Sequence, residues 1–216
     1  MEFVSSTNKE GDEKGLATPR PSLQTLSDLI FGLALSIGAL SLIGQQLTDF
    51  SQILVSLSFF ALGFYLLVSV WYRYASIMKV LPFETSSLVI LNMLLLFLVA
   101  IEPYLLNVST SATQNTVQAI RNPVSQLYAI DFGSIYIILA YFLLQLIHQE
   151  RKPHNENSLR RYKENLAFSL VLASVFFISA LPFFETGGIS YFNLRQLMWI
   201  ALLPIGVVFR LVQWLN

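Results

Sequence analysis

The sequence has no cysteine among its 216 residues. That excludes a disulfide framework, a thiol nucleophile, an iron–sulfur cluster and a thiolate zinc site. It is also short of charge. Charged residues make up 12% of the chain, whereas an average soluble domain carries about a quarter. Too few charges remain to cover an ordinary water-facing surface. The 13 basic and 13 acidic residues cancel, so net charge points to no nucleic acid or acidic partner. Two histidines are present, His148 and His154; without a neighbouring carboxylate pattern they read as solvated residues and predict no metal site. No nucleophile elbow, phosphate loop or metalloprotease helix motif occurs, so the sequence predicts no catalytic residues and no enzyme.

What is abundant is apolar: 55% of the residues are hydrophobic, with a mean hydropathy of +0.61. The charges are also unevenly placed. Seven fall in residues 1–24 and eight in 150–164. Outside those segments lie charge-free windows at Leu29–Thr48, Phe50–Tyr72, Thr85–Ile101, Phe132–Gln149, Asn165–Phe184 and Gln196–Phe209. A membrane-spanning helix needs about 20 mostly apolar residues. Six spans are therefore expected, at about 27–48, 50–72, 85–103, 132–149, 165–184 and 195–214. The last is the weakest, with an amphipathic surface helix as its alternative. The runs are continuous, as in LVILNMLLLFLVA over Leu88–Ala100, and lack the alternation that membrane-barrel strands require. The expected fold class is thus an all-α integral membrane protein.

Residues 1–22 form a polar, aperiodic tail that reads as disordered, ahead of a transmembrane domain over 23–216. The tail is acidic as well as basic and is expected not to be a cleavable signal. Ten basic residues fall in the tail, the second–third connection and the fourth–fifth connection, against Arg121 and Arg195 on the other side. The positive-inside rule then places both termini in the cytoplasm of a multi-pass cell-membrane protein. Residues 104–127 are expected to be the longest outer loop, 150–164 a solvated inner linker, and Glu102 and Glu185 water-facing caps at outer span ends.

The first span carries the most distinctive pattern. Small residues recur at Gly32, Ala34, Ser36, Gly38, Ala39 and Ser41, which lets neighbouring backbones approach. Leu33, Ser36, Ile37 and Leu40 share one helix face. Around a symmetry axis, copies of that face would make apolar rings with one hydroxyl ring among them, a pattern able to gate by dewetting and to replace part of an ion's water shell. The other reading is a packed bundle helix facing its neighbours or lipid. Ser27-Asp28 likewise fits two roles: a helix N-cap, or an inner-mouth group that makes interhelical hydrogen bonds or attracts cations.

Leu26-Ser27-Asp28, followed by Leu29 to Ser36, resembles the Phe-Ser-Asp signature that opens the first helix of the transmembrane protein 175 family, the potassium channels of lysosomes and prokaryotes. Trp71-Tyr72-Arg73-Tyr74 is similar to the end of that family's second span. Leu91-Asn92-Met93-Leu94-Leu95-Leu96-Phe97, with Val99-Ala100 and Pro103, is similar to its third. The resemblance covers residues 22–105. Leu26 stands where the family usually has Phe, and Ser22 where it usually has Arg, with Arg20 two residues earlier.

The resemblance implies a homotetramer in the lipid bilayer, with helix 1 lining a central pore permeable to potassium ions. The narrowest apolar layer would fall at Leu33, the hydroxyl layer, usually Thr, at Ser36, and further apolar layers at Ile37 and Leu40. Asp28, with Ser27 and Arg20, would organise the inner mouth. No cofactor is implied beyond the permeant potassium, and a proton-permeable form belongs to the same reading. The alternative is a non-conducting membrane scaffold or assembly subunit that packs through its small-residue faces.

Overall fold

The structure, a computed structural model, describes residues 21–43, 49–81, 85–111, 118–149, 156–185, 188–189 and 192–202. Five long α-helices follow one another: α1 (Pro21–Ser41), α2 (Phe50–Met78), α3 (Ser86–Ser111), α4 (Gln118–Gln149) and α5 (Glu156–Ser179). A short 3-10 turn at Pro182–Glu185 and a two-residue antiparallel pair, β1 (Gly188–Ile189) with β2 (Phe192–Asn193), lead into a sixth helix, α6, described over 194–202. Five helices are long and apolar enough to cross a bilayer. Among the described residues the chain is all-helical apart from that small hairpin, and its architecture is that of a multi-pass membrane protein. Residues 1–20 of the expected tail, Arg20 among them, and residues 203–214 of the sixth span lie outside the described residues; Pro21 and Ser22, expected in the tail, belong to α1.

The helices alternate in direction, as their cross-contacts show. Ser27 of α1 meets Tyr74 of α2 and, through it, Asn92 of α3. Toward the far end of the same three helices, a Cβ at Gly38 would lie beside Phe60 and Pro103. Helix α1 packs on α2 and α3, α3 on α4, and α4 on α5. Helix α4 is the hub: 61% of its apolar window is buried, against 17% for α1. Its aromatic face explains why. Tyr128, Phe132 and Tyr136 stack with Phe176 of α5 and Trp199 of α6 at ring separations of 4.8–6.4 Å.

A second knot closes the end bearing α6. The Arg195 side chain is fully buried. Its Nε donates to the Ser179 carbonyl at 2.6 Å, and its Nη groups reach the Asn122 and Leu181 carbonyls at 3.3 Å and the Ser125 hydroxyl. Trp199 Nε1 donates to Ser179 Oγ at 3.0 Å. Carbonyls near the α5 C-terminus, which the helix itself leaves unpaired, thereby gain a cation that also suits the negative end of the helix dipole.

Several elements differ from the sequence reading. Helix α3 runs through Glu102 and Pro103 to Ser111, and α4 begins at Gln118. Most of the expected 104–127 outer loop is therefore helix. Its polar residues read as loop, yet Ser109 and Ser125 bond back to the carbonyls of Leu106 and Asn122, a self-satisfying arrangement that a helix accepts. Glu102 is not a water-facing cap: it is 1% exposed. Helix α5 likewise starts at Glu156, inside the expected 150–164 linker, and its first turns carry an exposed Arg160–Glu164 ion pair at 3.5 Å. Asp49, at the exposed start of α2, accepts from the Ser51 hydroxyl, which with the Phe50 and Ser51 backbone N–H groups holds its carboxyl below the usual range.

Candidate functional site

Helix α1 has two unlike sides. Ser27, Phe31 and Ala34 are buried and recur at helical spacing, so they form its packed side. Across the helix lie Leu33 at 58% exposure, Ile37 at 42% and Leu40 at 63%, together with exposed Ser36. Those are the four residues whose spacing places them on one face. Nothing among the described residues covers that face. A Cβ added at Gly32, beside it, would meet nothing within 4 Å. The Ser36 hydroxyl donates to the Gly32 carbonyl at 2.8 Å. Its proton is thereby engaged, and its oxygen offers acceptor lone pairs outward.

The packed side is held by a polar chain. Ser27 Oγ and Tyr74 Oη lie 2.7 Å apart, and Tyr74 Oη donates to Asn92 Oδ1 at 2.7 Å. Tyr74 must then accept from Ser27, because its single proton goes to Asn92. The Tyr74 ring packs 5.6 Å from Phe31. One turn away, Trp71 Nε1 donates to Asp28 Oδ1 at 2.9 Å. The three helices are thus tied at one end by hydrogen bonds that lipid cannot replace.

Ser27 and Asp28 are not N-caps. Both lie more than a turn inside α1 (Pro21–Ser41), and both side chains instead bond to α2. Interhelical bonding is the role the structure gives them. Arg20 lies outside the described residues. Arg73, on the same α2 turn, lays its guanidinium over the Phe168 ring of α5 at 4.5 Å, which tethers α2 to α5 by cation–π attraction.

The structure also brings together groups that sequence reasoning separates. Glu102 of α3 accepts from Tyr128 Oη at 3.0 Å, and Asp131 stands one turn further along α4. Glu102 and Asp131 are 1% and 4% exposed. The charge-free windows use both carboxylates as span boundaries, so neither reads as internal. The available signal is the Tyr128–Asp131 spacing, which puts a hydroxyl and a carboxylate on one helix face. A narrow crevice between α1, α2 and α3 reaches Glu102, past Gly38, Ser41, Ser56 and Asn107. Among the described residues no cluster of three metal-ligating side chains occurs.

Fold and site together define a multi-helix membrane protein whose first helix presents an uncovered face. No protein-family model matches the chain, and no curated protein matches it.

Proposed function

We propose that the protein is a potassium-permeable cation channel, in which four copies bring α1 together around an axis. The reading rests on the uncovered face of α1, where Leu33, Ser36, Ile37 and Leu40 alternate apolar bulk with a hydroxyl oxygen. Apolar rings of this kind restrict permeation by dewetting, and a ring of outward lone pairs compensates a cation, not an anion, for lost water. Two further features support it. The opposite side of α1 is anchored to α2 and α3 by Ser27, Asp28, Trp71, Tyr74 and Asn92, so the helix has a rigid scaffold behind it. Those anchors come from the three segments that resemble transmembrane protein 175 channels. In this reading Leu33 forms the constriction, Ser36 contacts partly dehydrated ions, and Asp28 shapes the inner mouth. On the positive-inside rule, this reading has both termini on the cytoplasmic side of the cell membrane.

Purified protein reconstituted in liposomes tests it. Potassium flux is expected to exceed chloride flux, and Leu33→Ala to raise potassium flux severalfold by widening the apolar ring. Native mass spectrometry in mild detergent is expected to give a tetramer. Folded oligomers that carry no flux would overturn the reading in favour of a non-conducting assembly subunit, which the uncovered Gly32 would suit as a close-packing position.

A further inference from the structure

We propose that Glu102 and Asp131 form a proton-binding site inside the helical bundle, filled from the crevice side through Glu102. The pair lies within membrane-spanning segments of α3 and α4, where an isolated carboxylate is costly and is relieved by a proton, a cation or a full set of donors. Full donation is lacking. Glu102 receives the Tyr128 hydroxyl, whereas both oxygens of Asp131 are buried without a hydrogen-bond partner among the described residues. Asp131 lies one helical turn along α4 from Tyr128, the residue that bonds Glu102, so two negative charges would stand close together there.

A counter-cation is lacking as well. Among the described residues no ion pair joins either carboxylate to a basic side chain. The neighbouring titratable groups are Tyr128 and Tyr136 on α4. Helix α2 contributes Gly63, where an added Cβ would stand 3.3 Å from Glu102 Oε1. Around Asp131 on α4, Phe176 of α5 stacks on Phe132, Phe177 lies against Gly133, and Trp199 of α6 packs on Tyr128. Arg195 directs its guanidinium to the Ser179, Asn122 and Leu181 carbonyls and to Ser125.

Geometry also separates the two carboxylates. Glu102 borders the crevice and Asp131 does not. A proton needs no cavity of its own at Asp131. Uptake forms an O–H bond on a carboxylate oxygen and takes one proton from crevice water; release returns it. The site is independent of whether α1 lines a pore.

Infrared spectroscopy of the full chain in lipid nanodiscs tests it, with dicyclohexylcarbodiimide as an apolar probe that modifies only protonated carboxyls. A neutral-carboxyl C=O band is expected to persist well above the acidic range where exposed carboxylates titrate, and to fade as pH rises. Part of it should vanish in Glu102→Gln and part in Asp131→Asn. Peptide mapping should find the carbodiimide adduct on Glu102, not Asp131, with loss of labelling at alkaline pH. A wild-type spectrum without that band, or a band unchanged in both variants, would overturn the proposal. Absence of any Glu102 adduct would overturn the crevice route. The wild-type titration and adduct map decide the matter even where a variant fails to fold.

Discussion

Tyr74 shows how much a single side chain can organise in a protein with few polar groups. Its hydroxyl accepts from Ser27 and donates to Asn92, and its ring packs on Phe31. One oxygen atom therefore links three helices. Tyr74→Phe keeps the ring and removes both bonds, leaving two buried polar partners without it. Interhelical hydrogen bonds in membranes are each worth about 0.6 to 2 kcal/mol, and stranding their partners adds to the loss. The expected result is a destabilisation of about 1 to 3 kcal/mol, read as a lower unfolding midpoint in mild detergent. Little of this is legible in the sequence. Tyr74 stands at the end of the aromatic run Trp71 to Tyr74, but period alone does not say which member of such a run turns inward. Ser27 and Asp28 stand out in the sequence, yet their role does not. A Ser-Asp pair before an apolar run looks like a cap until it is seen to lie more than a turn inside α1.

At the scale of elements, the separation of helices is set by where side chains are missing. Gly63 faces α3, and a Cβ there would collide with Leu106 Cδ2 while pressing on Glu102. Gly63→Ala should therefore force the Leu106 side chain to turn aside, and the crowding, offset by the helix propensity of Ala, should cost at most about 1 to 2 kcal/mol, read as a lower unfolding midpoint. Gly32→Ala meets nothing in the protomer. It should leave the protomer's unfolding midpoint unchanged and alter only the distribution of oligomers seen by native mass spectrometry. The contrast distinguishes a glycine that faces a neighbouring helix from one that faces open space in the protomer. The existence of the apolar helices is legible from hydropathy, because lipid demands long uncharged runs. Their ends are not. A window that stops at every charge must stop at Glu102 and Asp131, although burial among helices hides both from lipid. The α1 face is legible in full, since the spacing of Leu33, Ser36, Ile37 and Leu40 needs only helical geometry. Helical spacing carries no information on what that face meets.

For the whole molecule, the alternation of helices puts Lys79 and Arg161 at one end and Phe183 at the other, all three exposed. The absence of cysteine turns this into a clean measurement. Single cysteines at positions 79 and 161 are expected to react with an impermeant thiol reagent from the cytoplasmic side of oriented vesicles. One at position 183 should react from the opposite side. Labelling of positions 79 and 161 from opposite faces would contradict the helix order itself, and not merely its orientation.

The Arg195 clasp has a consequence for how the chain is made. All its acceptors, at Asn122, Ser125, Ser179 and Leu181, leave the ribosome before Arg195 does. The Ser27–Tyr74–Asn92 tie, by contrast, has every member in place once α3 is synthesised. One end of the bundle can lock as soon as α3 is made, while the other waits for α6. Truncation before α6 would leave α4 and α5 beside each other with their shared clasp unmade, so the synthesis of α6 is the step that closes that end of the bundle.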